Sequence, residues 1–218
     1  MRRFDDMVHV EVGTGKNSKT YAIYSSTLTN RSLFFRKALS DPWKEAEEKV
    51  VRLPEDDVRT FELYLHYIYN NEFACTSTTP VNQRGRTERN ALARLYVLCE
   101  KLQDSRSKNC IIKALSDSVY KIRIGGSSWN VPENEVVDTL YKGTSKGSLG
   151  RRMLVDIFAQ GVPSKFMTPD WTNQYPGEFL QELAVCLMTT FDVDVRRAVP
   201  SPRHGKIDAY LEKEEQEE

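Results

Sequence analysis

Residues 53–69 read LPEDDVRTFELYLHYIY. Asp57 stands one position ahead of Val58, where its carboxylate can accept from backbone N–H groups two or three residues on and start a helix. From there Val58, Phe61, Leu65 and Ile68 fall on one face at helical spacing, and Leu63, Tyr64, Tyr67 and Tyr69 cover most of the remainder. Arg59, Glu62, His66 and Asn70 line up at steps of three and four as a single polar strip. A helix apolar nearly all round is expected to sink into a core with only that strip wet. Asn70-Asn71 is expected to take the left-handed geometry that closes it. The spacing predicts a buried central pillar for a domain.

Upstream, Val8, Val10 and Val12 alternate with His9 and Glu11, the period of a strand with one buried face. Residues 13–18 predict a turn and residues 20–24 a returning strand, together a hairpin. Residues 25–30 and 32–39 predict two short helices, the second burying Phe34, Phe35 and Leu39. Asp41-Pro42 breaks the chain, and residues 49–53 predict a third strand with Val51 and Leu53 on one side. Downstream, residues 73–75 predict a short edge strand, and the polar residues 76–86, with Pro80 and Gly85, an exposed loop. A long helix from Thr87 through Leu102 would bury Leu92, Leu95, Cys99 and Leu102; another over 108–123 would bury Ile111, Ile112, Leu115 and Val119. Strands with helices around them give an α+β, mostly helical domain ending near Ile124.

Ser25-Ser26-Thr27-Leu28, Arg31-Ser32-Leu33-Phe34-Phe35, Trp43-Lys44-Glu45, residues 51–57, Phe61 and Ile68-Tyr69 stand in a family's order and spacing. Through them residues 19–70 resemble the BTB/POZ family, particularly the short single-domain BTB proteins common in fungi. Tyr24 stands where that family usually has His, and Asn70-Asn71 where it has Thr-Gly. The resemblance implies a BTB/POZ fold, a small sheet flanked by helices, over residues 1–124, with a C-terminal helical extension.

Gly125-Gly126-Ser127-Ser128 opens a flexible joint, taken as a linker over 125–130. Residues 131–192 predict three helices. Pro132 opens the first at a favourable early position, and its stripe is Val136, Val137, Leu140 and Tyr141. The second, 149–160, presents Met153, Leu154, Ile157 and Phe158; the third, 177–191, presents Leu180, Leu183, Ala184, Leu187 and Phe191. These stripes exceed what a small bundle buries alone, so the region is expected to dock on the first half. Six acids against two lysines in residues 206–218 predict an acidic disordered tail.

The 31 basic and 31 acidic residues balance, so no global field draws the chain to nucleic acid or membrane. No apolar run approaches the ~20 residues of a membrane span, and no apolar stretch after Met1-Arg2-Arg3 suggests a signal peptide. Cys75, Cys99, Cys110 and Cys186 form no C-x-x-C pair and are read as reduced thiols of a cytosolic or nuclear protein.

Gly13-Thr14-Gly15-Lys16 follows a strand but lacks the earlier glycine and following Ser or Thr of a phosphate loop, so it reads as a hairpin turn. His9, His66 and His204 have no partners at ligand spacing, and no metal site or cofactor is expected. Arg84, Arg86 and Arg89, then Arg151-Arg152 and Arg196-Arg197, read as ordinary surface charge near offsetting acids. No nucleophile elbow or paired carboxylates in an apolar setting supply a catalytic constellation.

The expectation is therefore a non-enzymatic protein–protein interaction module. The resemblance implies an adaptor holding a substrate to a cullin-type ubiquitin ligase, or alternatively a transcription-associated scaffold or self-association module without a ligase role. It places a cullin contact at the end of the quoted helix and the loop after it. Candidate partner-binding residues are Tyr69, Phe73 and Val81 there, with Phe34 and Phe35 for a helix-face dimer. Six residues ahead of the first strand span at most about 20 Å, too short and polar for strand exchange, so a monomer or weak homodimer is expected. No nucleic acid, membrane or small-molecule substrate is expected as a partner.

Overall fold

The valine alternation forms β1 (Met7–Val12), with Val8, Val10 and Val12 buried on one face. The fold is that of a computed structural model, which describes residues 6–40, 42–73, 84–120, 131–161, 168–190 and 207–214. Gly13 (φ 76°) and Gly15 (φ 61°) occupy the left-handed region that glycine enters without steric cost. They carry the chain through a 3-10 turn at Gly15–Asn17 into antiparallel β2 (Lys19–Tyr24), with Met7 opposite Tyr24 and Val12 opposite Lys19. A strand follows this turn, as the hairpin reading requires. After α1 (Ser25–Thr29), α2 (Leu33–Ala38) and α3 (Lys44–Glu48), β3 (Val50–Leu53) pairs parallel with the other edge of β1. The sheet is mixed, in the order β2-β1-β3, and the class is α+β.

α4 (Val58–Asn70) begins and ends as its sequence predicts. Asp57 Oδ2 accepts from the Thr60 N–H at 2.8 Å, and Asn71 (φ 58°) sends its N–H to the Tyr67 carbonyl at 2.7 Å. Its buried stripe is Thr60, Phe61, Tyr64 and Tyr67, whereas Val58, Leu65 and Ile68 are half-buried and Tyr69 is exposed. The pillar expectation is corrected: α4 lies along one side of the core. The central helix is α5 (Arg84–Leu102), which buries Leu92, Leu95, Cys99 and Leu102 as predicted, and also Ala93, Tyr96 and Leu98. α5 packs on α2, α4, α6 (Ser105–Tyr120) and α7 (Asn134–Gly143). α6 starts three residues before the predicted position because Asp104 caps it, Oδ1 accepting from the Ser107 N–H at 2.8 Å.

The helices after residue 130 dock on the first half, and one hydrophobic core runs through both. The 125–130 linker lies outside the described residues. α7 and α8 (Leu149–Gly161) bury their predicted stripes. Gly143 and Gly150 permit the close approach: a Cβ on Gly143 would stand 2.3 Å from Val97, and one on Gly150 2.8 Å from Tyr96. A short helix with no sequence forecast, α9 (Pro169–Thr172), is capped by Thr168. α10 (Gly177–Thr190) buries Phe179 and Leu183 and leaves Ala184 exposed, so its face is turned from the predicted stripe; Phe191 lies outside the described residues. The cause is Phe179, whose ring packs on Phe158 (4.9 Å), Tyr175 (5.4 Å) and Tyr141 (5.6 Å). Among the described residues no helix is long and apolar enough to cross a membrane.

Two further expectations are corrected. Arg89 and Arg151 are buried and structural: Arg89 Nε meets Glu133 Oε2 at 3.0 Å, and Arg151 donates to the Tyr141 carbonyl (2.6 Å), Thr144 Oγ1 (3.0 Å) and Glu178 (3.0 Å). The acidic tail is not disordered over residues 207–214. Ile207–Tyr210 forms a 3-10 turn whose Tyr210 side chain enters the core.

Candidate partner-binding surfaces

The first surface is the C-terminal end of α4. Tyr67 points inward and stacks on Phe73, ring centroids 4.4 Å apart and 7° from parallel. Tyr69, two positions on, turns outward and is 55% exposed. His66 Nδ1 lies 3.0 Å from the Glu72 carbonyl, which folds the chain back after the helix and holds Phe73 against it. Burial, with Cys110 alongside, pushes the Tyr67 hydroxyl up to about 12, so it stays neutral.

Beneath lies a polar network that sequence reasoning missed. Asp104 is wholly buried and accepts from Arg31 Nε (3.4 Å), the Tyr64 hydroxyl (3.1 Å) and the Ser107 hydroxyl (2.5 Å). Arg31 also donates to Ser107 Oγ at 2.9 Å and lies over the Tyr67 ring, 5.2 Å from its centroid. Burial and then the Asp104 carboxylate push the Tyr64 hydroxyl well above its ordinary value. A buried charge paired this closely is locked, because moving either partner strands the other. The network thus braces α4 against α6 through Tyr64 and holds Arg31 over the Tyr67 ring on which Phe73 stacks. Asp104-Ser105-Arg106-Ser107 was legible as a capping sequence, had the helix been started there.

The other candidates do not gather at this surface. Phe35 is 0% exposed and leaves the list of contact residues, since Ser32 caps α2 and ties it to the end of α5 by donating to the Leu102 carbonyl at 2.5 Å. Phe34 is half-buried, edge-on to Phe35 at 5.3 Å. Val81 lies outside the described residues.

A second concavity, about 340 Å³, lies between α8 and α10, lined among others by Arg152, Asp156, Glu182, Val185, Cys186 and Thr189. Val185 and Met188 are exposed on α10, Met188 at 73%. Burial and then Asp156 push the Cys186 thiol up to about 11, so it is protonated at neutral pH and not an activated nucleophile. Among the described residues no group of three or more His, Cys, Asp and Glu side chains is arranged to hold a metal ion.

No protein-family model matches the chain, and no curated protein matches it.

Proposed function

We propose that this chain is a non-enzymatic protein–protein interaction module of BTB/POZ type, working in the cytosol or nucleus as an adaptor for a cullin-type ubiquitin ligase. The observation that carries the reading is the exposed Tyr69 at the C-terminal end of α4, where its inward-facing neighbour Tyr67 is fixed by Phe73 and Arg31. A tyrosine gives a large, rigid contact area with a polar tip, the kind of side chain that anchors interfaces. It stands where the family resemblance places the cullin contact. The hairpin, the third strand and the capped helix after it also follow the order of the matching sequence pieces.

The test is isothermal titration of the purified full-length chain against purified N-terminal regions of a panel of cullins. Saturable one-to-one binding to at least one is the expected result. Absence of heat with every cullin contradicts the adaptor role.

A further inference from the structure

Residues 207–214 are held in a way that helix packing does not require. Tyr210 is 0% exposed, and its hydroxyl donates to Asp156 Oδ2 of α8 at 2.7 Å; the Arg152 guanidinium lies 5.9 Å from its ring. Two residues on, Asn109 of α6 reads the backbone of Glu212 in both directions. Its Nδ2 donates to the Glu212 carbonyl at 2.9 Å, and its Oδ1 accepts from the Glu212 N–H at 2.7 Å. The same Nδ2 reaches Glu214 Oε1 at 3.2 Å, and Lys108 pairs with the Glu212 carboxylate as well as with Glu100. Ile207 and Leu211 are half-buried against the core.

We infer that α6 and α8 form a docking groove for a peptide bearing tyrosine and, two residues later, glutamate, and that the chain's own residues 207–214 occupy it in cis. Three features of the groove carry this. Lys108, Asn109 and Asp156 are each more than nine-tenths buried, on two helices, and all three face one segment. Burying such groups is costly unless a partner meets them, so this lining belongs to a ligand site more than to a core. The Asn109 amide takes both backbone hydrogen bonds of one residue, as a neighbouring strand would, and this selects backbone shape whatever the side chain. Specificity then falls to Asp156 for the tyrosine hydroxyl and Lys108 for the acid. The grip is also local: the segment contributes one fully buried side chain and one 3-10 turn, and short elements with so few buried contacts open at low cost. A partner carrying the same pattern competes with a tail whose advantage is its tether.

The experiment uses the full-length chain and a fluorescein-labelled peptide with the sequence of residues 206–216, KIDAYLEKEEQ. In Tyr210→Ala protein the cis anchor is gone, and the peptide is expected to bind at least about tenfold more tightly than to the unmutated chain. Adding Asn109→Ala, or replacing the peptide's tyrosine by alanine, should weaken that binding by a similar factor. If Tyr210→Ala fails to fold, the unmutated chain is given a specific protease site within residues 195–204 and cut. The nicked tail should stay bound and exchange with excess labelled peptide. Absence of peptide binding to folded Tyr210→Ala protein, binding indifferent to Asn109 and the tyrosine, or a nicked tail that never exchanges overturns the proposal.

Discussion

Asp104 shows how one buried side chain ties several elements together. It serves at once as the cap of α6, the counter-charge of Arg31 and the acceptor for Tyr64. Asp104→Ala removes the counter-charge of Arg31 and the acceptor of the Tyr64 hydroxyl, and is expected to cost about 3–5 kcal/mol in urea unfolding. Asp156 gives a pH-dependent counterpart. Burial lifts its carboxyl above its ordinary value, against the Tyr210 hydroxyl, the Cys186 thiol and, on its own helix, Arg152. The folded state therefore holds this proton more tightly than the unfolded chain does. Its contribution is most favourable below the unfolded carboxyl value and is lost as pH rises through the folded one. Asp156→Asn, which still accepts from Tyr210, is expected to raise the melting temperature at pH 7, with the gain fading towards about pH 3. A gain that grows on acidification contradicts this. Asp156 was not legible as a site, because a lone Asp in a helical stretch carries no pattern until tertiary structure surrounds it; Asp104 was legible only as a helix cap.

Among the elements, those with a single apolar stripe were read well: α5, α6, α7 and α8 bury the residues their spacing nominates. α4 was misread because it is apolar on nearly every side, and spacing then cannot choose which aromatic or aliphatic row faces in. The choice fell to Phe61, Tyr64 and Tyr67; the Tyr64 hydroxyl and the Tyr67 ring reach the Arg31 network. Phe61 belongs to both the predicted and the observed face and packs on Tyr21 at 5.3 Å. Phe61→Ala is expected to cost about 3–5 kcal/mol, read as a lowered melting temperature. α10 was turned by Phe179, a residue its stripe left out. The seam between α5 and α7 rests on Gly143, where Gly143→Ala should cost about 1–3 kcal/mol through contact with Val97. Val97→Ala in the same chain should recover part of that loss, a coupling that a double-mutant cycle measures.

At the scale of the whole molecule, the three stripes after the glycine-serine stretch called for docking on the first half, and the core passes from α5 straight into α7 and α8. Composition marks a joint but says nothing of whether the flanking faces meet. Likewise the acids of the C-terminal stretch masked Ile207, Tyr210 and Leu211, three apolar residues at steps of three and one. A single core should unfold in one transition, and limited proteolysis should not release a stable fragment of residues 131–190. The surface at the end of α4 belongs to this continuous body, and the account's central claim is that Tyr69 there anchors a protein partner. Isothermal titration of the full-length chain against whichever cullin of the panel binds, set beside Tyr69→Asp, tests that claim most directly. The account predicts a Kd raised at least about tenfold with the melting temperature unchanged; an equal Kd in the two proteins contradicts it.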